Sequence, residues 1–401
     1  MKMIRYEKPK RWIEYDLSSL SNIIIRSRVS IEKLKDSPYQ REWVKDLQEI
    51  ELKREIAGTS RIEGADFTER ELEEALKESP EELLTRSQRQ AHAAAQTYRW
   101  ISQLPVDKPI NRELILEMHR RMITGADDDH CEPGALRKQD QNVIFGTPRH
   151  RGAEGGQECS AALDALIKAI NSEFKDHEPI IQAIAAHYHL ASIHPFLDGN
   201  GRTARGLEAL MLQRAGLRDI CFIPMSNFYY EEKQEYLKSL SSAGNLNHDL
   251  TPFIHFALKG VELQSKRIFK EIQTRISKAL FRNLMYDLFG RLKSPRKRVI
   301  AERQIEILKI LLDKDSLNLI QLIGFASSIY SKLKNPMKGL IRDLEGLLKL
   351  GALSYQGEGE DDFEKIILRI NLDWPKEISE SEFLQRIKTF PKSKTHSFLG
   401  R

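Results

Sequence analysis

His194-Pro195-Phe196-Leu197-Asp198-Gly199-Asn200-Gly201-Arg202-Thr203-Ala204-Arg205 is the stretch that decides how the rest of the chain is read. It places a titratable imidazole, a carboxylate, a Gly-Asn-Gly turn and two guanidinium groups in one short run. Most of these residues are poor helix formers. Apolar periodic runs flank them, 180–193 before and 206–215 after. The pattern predicts helix, tight loop, helix. Unpaired loop amides then lie at the start of the second helix, where free N–H groups and the helix dipole both favour an anion.

Each side chain in the run has a chemical use. His194, at the exit of an apolar helix, can act as a general base near neutral pH. Pro195 fixes the turn, and Phe196 anchors the loop to the core. Asp198 is a hard oxygen ligand suited to the Mg²⁺ that accompanies a nucleotide. Gly199, Asn200 and Gly201 allow successive amides to point at phosphate oxygens. Arg202 and Arg205 are one helical turn apart, so both can face one phosphate chain. Any one of these residues alone reads as an ordinary structural loop. The set points to phosphoryl or nucleotidyl transfer.

A chain of 401 residues exceeds one ordinary core and predicts two or three domains. It is 40% hydrophobic and 30% charged, the balance of a soluble globular protein. The net charge of +5 is spread along the chain and by itself argues little for nucleic acid. Residues 1–6 lack the apolar core of a signal peptide. No uncharged apolar run approaches the ~20 residues of a membrane span. The expectation is a cytoplasmic protein without a membrane partner. Cys131, Cys159 and Cys221 match neither a disulfide framework nor a metal site and read as reduced thiols. His187 and His189 are two apart on a helix, point to different faces, and do not make a zinc site with His194.

Outward from the central run, residues 1–35 are polar and mixed. A helix is predicted from about Gln40, with Trp43, Leu47, Ile50 and Arg54 on one face and Gly64 as its stop. Thr68 and Glu71 have capping-box spacing. Ser79-Pro80-Glu81-Glu82 is read as opening a helix to about Ile101, followed by another over 111–123. The run 142–146 between turn residues predicts a hairpin or flap. Helices are expected over 161–174, 231–241 and from Thr251 to about Leu292. A basic, Pro-broken boundary at 291–298 follows. Beyond it, three helices closed by strands near 351–355 and 365–369 make a winged helix-turn-helix pattern. Residues 327–334 are its candidate recognition helix, and Arg296, Lys297 and Arg298 could meet DNA phosphates; a protein-interaction or dimerisation module is the equal alternative for this domain.

The run 194–205 resembles the complete Fic signature, His-x-Phe-x-(Asp/Glu)-Gly-Asn-Gly-Arg-x-x-Arg, without departure. The order and type of segments resemble that family over about residues 35–260. The resemblance implies a mainly α fold: a Fic-type helical core with a β-hairpin flap, joined here to a C-terminal winged helix-turn-helix domain. It implies a protein adenylyltransferase that moves AMP from ATP to a Ser, Thr or Tyr hydroxyl of a protein and releases pyrophosphate. Carried onto this chain, His194 would deprotonate the hydroxyl, and Asp198 would hold Mg²⁺. Gly199, Asn200 and Gly201 would form the anion hole. Arg202 and Arg205 would bind the rest of the phosphate chain. Val143, Ile144 and Phe145 would dock the target segment by strand-like pairing, and Gly134-x-x-Arg137 resembles the family's approach to that flap. Tyr236 would lie on the adenosine side, with an aromatic core as the alternative.

Thr59-Ser60-Arg61-Ile62-Glu63-Gly64 resembles the inhibitory motif (Ser/Thr)-x-x-x-Glu-(Gly/Asn) of autoinhibited Fic proteins. The implied pair is Glu63 with Arg205, in a motif that Thr59 opens. The domain expectation is an N-terminal helical region over 1–105 containing an inhibitory helix at about 40–64. A catalytic core over 106–260, a linker helix over 261–294, the winged helix over 295–375 and a tail over 376–401 follow. The implied partners are ATP, Mg²⁺, a protein target that can include the chain itself, a second copy in a homodimer, and DNA. Two alternatives stay open: a DNA-binding regulator whose core senses nucleotide, and de-AMPylation or another nucleotidyl transfer by the same loop.

Overall fold

Asp16 opens the first helix, its carboxylate accepting the Ser18 amide at 2.9 Å. The structure, a computed structural model, describes residues 3–38, 41–77, 79–146, 148–217, 223–245, 248–357 and 365–388. Two units divide the chain, Met1–Lys270 and Glu271–Arg401.

The first unit begins with β1 (Ile4–Arg5) and α1 (Leu17–Lys35). The polar run thus contains a helix, because Leu20, Ile23, Ile31 and Leu34 still bury one stripe. In α2 (Arg41–Ile62) the buried stripe is Val44, Leu47, Glu51, Glu55 and Thr59, and Ile50 is exposed. Apolar periodicity points to the wrong face there. The two buried carboxylates are tolerable because each is paired. Glu51 meets Arg267, and Glu55 accepts the Ser226 amide at 2.8 Å. Thr68 and Glu71 form their box ahead of α3 (Glu69–Lys77). The expected helix from Ser79 is only a 3₁₀ turn, Pro80–Glu82. Ser79 bonds Glu82 and closes that turn, then a second capping box, Thr85 with Gln88, opens α4 (Arg86–Gln103). Asn111 caps α5 (Arg112–Ile123).

β2 (Ile144–Phe145) and β3 (His150–Arg151) form the antiparallel hairpin, and β1 joins β3 in parallel, giving the order β1-β3-β2. After α6 (Gln157–Ile170) comes α7 (Pro179–Ile193), started by Pro179 and buried on nearly every side. It packs against α8 (Asn200–Leu212), which is also almost wholly buried. These two helices form the centre of the unit. α9 (Met225–Glu231), α10 (Lys233–Asn245) and α11 (Thr251–Gly290) follow. α9 lies so close to α2 that a Cβ on Gly58 would collide with the Ser226 and Asn227 backbone.

The second unit takes the end of α11, then α12 (Pro295–Lys314), β4 (Ser316–Asn318), α13 (Leu319–Tyr330), α14 (Pro336–Leu350), β5 (Leu353–Gln356), β6 (Ile367–Ile370), α15 (Trp374–Glu377) and α16 (Glu380–Lys388). Its sheet has three strands, ordered β4-β6-β5, rather than the two expected. Phe281, Leu308, Leu344, Leu347, Trp374 and Phe383 share its core. The stretch 376–401, read as a tail, therefore starts as a packed helix; residues 389–401 lie outside the described ones. Residues 327–334 are not one helix. Ser327, Ser328 and Tyr330 end α13, whereas Lys332 and Lys334 lie in the turn before α14. Asn335 caps α14 by accepting the Lys338 amide at 3.0 Å, and Pro336 fixes its first position. No helix among the described residues is long and apolar enough to cross a membrane. Cys131 and Cys159 are buried and free, and Cys221 lies outside the described residues.

Candidate active site

The signature loop is built by its own side chains. α7 ends at His194, whose left-handed backbone (φ 54°, ψ 58°) is uncommon for a residue with a Cβ. Asn200 then closes the loop: its Oδ1 accepts the Phe196 amide at 2.9 Å and its Nδ2 donates to the Phe196 carbonyl at 2.8 Å. The Phe196 ring is fully buried and stacks on His119 at 3.7 Å. His119 accepts the Gly134 amide on Nδ1, so its Nε2–H donates to the Asp198 carbonyl at 3.0 Å. Gly199 takes φ 73° and could not carry a side chain, since a Cβ would meet Ile123 at 2.6 Å. α8 therefore starts at Asn200, ahead of the predicted Gly206. The amides of Asn200, Gly201 and Arg202 are its first-turn donors, which the helix cannot use itself.

The imidazole of His194 is neutral and has one ring nitrogen free. Its Nδ1 donates to the Ala191 carbonyl at 3.1 Å, which leaves the lone pair on Nε2. The Phe145 ring stacks on it, 4.0 Å between centroids and 10° from parallel. Desolvation dominates and holds its pKa down to about 4. At pH 7 the ring is neutral. Arg137, buried, ties the flap to this loop by donating to the carbonyls of His194 (2.8 Å), Gln141 (2.6 Å) and Ala153 (2.5 Å). In the flap itself β2 is an edge strand, with Ile144 50% exposed; Val143 precedes it, its carbonyl accepting Gly152 at 3.4 Å.

Asp198 accepts from His130 Nε2 at 3.0 Å and lies 3.4 Å from Arg202 Nη2. Burial alone would raise its pKa, but Arg202 and His130 keep it below the usual carboxylate range. Arg202 is also held by Asp127, at 2.5 Å. Asp127 is fully buried and further accepts from Arg86 and Gln90. Its role is not legible in the sequence, because it lies about 70 residues away in an Asp-rich turn that reads as solvated surface. Asp127, His130 and Asp198 place ligand atoms within 4.8 Å of one another. Asp127 is sealed from solvent, whereas the Asp198 side chain is 33% exposed, so Asp198 is the carboxylate that a hard divalent cation could reach. Arg202 Nε is buried and, among the described residues, has no partner. It remains a donor for an anion.

Arg205 is held from α2 and the turn that follows it. Its Nε donates to Thr59 Oγ1 at 3.0 Å, and its Nη2 to the Thr59 carbonyl at 3.3 Å and Glu63 Oε1 at 2.6 Å. Burial opposes its charge, yet Glu63 together with the nearby Tyr236 and Tyr98 raises its pKa. The pair sits directly on the cradle, since a Cβ on Gly201 would meet Glu63 Oε1 at 2.5 Å. Lys233 fixes the end of α2 by donating to the Ile62 carbonyl at 2.7 Å. Tyr236 is not open to a nucleoside. It is 3% exposed, stacks on Tyr229 at 4.6 Å, and lies 2.9 Å from His187 Nε2 in an aromatic core. Tyr230, 39% exposed, is the open tyrosine of this cluster.

Residues 109–212 match the Fic/DOC family. The chain is 35% identical over 161 residues to the protein adenylyltransferase fic-1 of Caenorhabditis elegans, a match covering 40% of this chain and 29% of that one. It is 33% identical over 143 residues to the protein adenylyltransferase Fic of Drosophila willistoni, covering 35% and 26%. It thus spans less than a third of the length of these curated relatives. Two solved structures share the fold. One is Fic-1 (aa134–508) from C. elegans, with a TM-score of 0.54, 24% identity, and coverage of 65% of this chain and 75% of that one. The other is a Fic family protein from Desulfovibrio desulfuricans G20, with a TM-score of 0.56, 16% identity, and coverage of 91% and 98%.

Proposed function

We propose that this chain is a protein adenylyltransferase. The hydroxyl oxygen of a target Ser, Thr or Tyr attacks the α-phosphorus of ATP, its proton passes to His194 Nε2, and the bond to the β-phosphate breaks to release pyrophosphate. The observation that carries the reading is the amide cradle at the start of α8, beside a neutral His194 whose free lone pair is on Nε2. Donors pre-aimed at developing phosphate charge are usually the largest catalytic contribution. Asp198 would hold Mg²⁺, which would neutralise phosphate charge. The exposed edge of β2 would receive the target as an added strand. The test is intact mass of Glu63→Gly after incubation with ATP and Mg²⁺, together with radiolabelled transfer to a protein mixture. An adenylate adduct on the chain or on another protein is expected. No labelled protein in either assay would overturn the reading, and a phosphate-sized adduct would reassign the reaction.

The same site would be autoinhibited. Glu63 occupies the guanidinium that the γ-phosphate would need and repels that phosphate. ATP can then bind only with its α-phosphate poorly presented for in-line attack.

A second reading concerns Glu271–Arg401, whose element order we take as a winged helix-turn-helix. A cleft of about 770 Å³ beside α14 is lined by Arg296, Lys297, Lys334, Lys338 and Arg342. Residues 271–401 hold 24 Lys and Arg against 17 Asp and Glu, a net of +7, whereas residues 1–270 are net −2. These charges favour the DNA backbone and move the expected contact from 327–334 to α14. The full chain is expected to bind duplex DNA more weakly as salt rises. Replacing one phosphate-binding cation, as in Lys338→Glu, should flatten the log–log slope by about 0.9. No binding at low salt would remove this reading.

A further inference from the structure

The two oxygens of Asp198 meet different neighbours. Oδ1 accepts the Gly199 amide at 2.5 Å and lies 3.4 Å from Arg202 Nη2. Oδ2 meets His130 Nε2 at 3.0 Å. That separation matches the edge of a coordination sphere, since two adjacent ligands of an octahedral ion held at about 2.1 Å are about 3.0 Å apart. The other nitrogen of the ring is engaged: His130 Nδ1 lies 2.6 Å from Asp129 Oδ1. A carboxylate on one ring nitrogen orients the imidazole and strengthens the other nitrogen as a metal ligand. The His130 and Asp198 side chains are 45% and 33% exposed, so an ion that brings its own water and phosphate ligands can reach both. His130 is placed by its neighbours in the turn after α5. The Cys131 amide bonds back to the Asp127 carbonyl at 3.3 Å, and the buried Cys131 sulfur lies 3.9 Å from the Asp198 carbonyl oxygen.

We propose that His130 Nε2 is a second protein ligand, beside Asp198 Oδ2, for the divalent cation that accompanies ATP, and that this nitrogen makes the site select Mn²⁺ over Mg²⁺. That role for the cation rests on the adenylyltransferase reading. Mg²⁺ takes oxygen ligands and gives up water reluctantly. First-row transition ions accept imidazole more readily. A lone carboxylate would take either ion, whereas a carboxylate–imidazole pair separates them. His130 touches neither Gly201 nor Arg205 in any hydrogen bond, so its part in holding the cation is separable from anion binding at the cradle.

The test uses the full chain carrying Glu63→Gly, grown with ¹⁵N-histidine, and reads ligation directly by pulsed electron paramagnetic resonance of Mn²⁺. One sample holds Mn²⁺ alone, and a second adds α,β-methylene-ATP, which cannot transfer AMP. The coupling of a directly bound histidine ¹⁵N is expected, and it should vanish in His130→Ala. The label keeps the nucleotide's own nitrogens out of that signal. By titration calorimetry with the analogue bound, His130→Ala should weaken Mn²⁺ about tenfold and Mg²⁺ by less than about twofold. The side chain is partly exposed, and a melting curve checks that the variant keeps its fold. Bound Mn²⁺ without a histidine coupling, or a coupling that survives His130→Ala, would overturn the assignment and leave His130 as an ion-pair partner of Asp198. Equal losses of Mn²⁺ and Mg²⁺ would overturn the selectivity. If the analogue does not bind the Glu63→Gly parent, the adenylyltransferase reading has failed instead, and the sample with Mn²⁺ alone still decides the ligand.

Discussion

Glu63→Gly is expected to raise the rate of AMP transfer on the order of 10²–10³-fold, as a charge estimate shows. Two like charges about 4 Å apart at an effective dielectric near 20 repel by about 4 kcal/mol, and each ~1.4 kcal/mol is tenfold in rate. Glu63 lies 2.6 Å from Arg205 and against Gly201, so a γ-phosphate reaching that guanidinium would be within this range of the carboxylate. The same substitution should weaken the fold in the absence of nucleotide. It leaves a guanidinium that is 2% exposed without its carboxylate. Glu63 is itself 29% exposed, so solvent screening reduces the loss to roughly 1–3 kcal/mol, below that of a fully buried pair. Saturating ATP with Mg²⁺ should return about 2–3 kcal/mol at a hundredfold excess over its Kd. Melting curves with and without nucleotide, and radiolabelled transfer by both proteins, measure the two effects. Equal transfer by wild type and variant would remove the inhibitory role of Glu63. Glu63→Gln, which loses the charge and keeps a donor–acceptor contact, should fall between them.

The parts of the site that can be read in the sequence are those where a short run does the work. Asp198, Gly199 and Arg202 are neighbours in the chain, and the conformational freedom of Gly199 is a property of the residue itself. Sequence reasoning places the start of α8 too late because Asn200, Gly201 and Thr203 are weak helix formers. What overrides propensity is the pair of bonds from Asn200 to Phe196 and the burial of α8 on nearly all sides. The pairing of Glu63 with Arg205 is reachable through the motif. Its physical setting is not: Glu51 and Glu55 set the buried face of α2, and carboxylates on a helix ordinarily mark the solvent side. Asp127 and the buried place of Tyr236 are hidden for a related reason. Each acquires its meaning from a partner brought up by packing, 75 residues away for Asp127 and Arg202, 49 for Tyr236 and His187. The flap is predictable as a hairpin, but its closeness to the base is not. Nothing in the run 142–146 says that Phe145 lies on His194.

That stacking governs the other large effect. His194→Ala should cost transfer about 10²–10⁴-fold, the range of a positioned general base. ATP binding should be nearly unchanged, because the cradle is set by Asn200 and Gly199 rather than by the imidazole. Alanine is strained at φ 54°, so His194→Asn, which tolerates that region, separates loss of the base from loss of the loop. The pH dependence follows from the protonation state the base requires. Transfer needs neutral His194, whose pKa burial lowers to about 4. The rate should therefore stay level as pH falls from 7 and drop only as it passes through about 4. Removing the Phe145 ring admits water to the imidazole and weakens the desolvation that depresses its pKa. In a Glu63→Gly background, Phe145→Ala should move the acid limb up toward 6.5, the ordinary histidine value. A pH–rate profile of self-modification measures both. An acid limb that already lies near 6.5 in the parent, or one that stays put in Phe145→Ala, would mean that the ring over His194 does not set the base's protonation and acts only in docking the target.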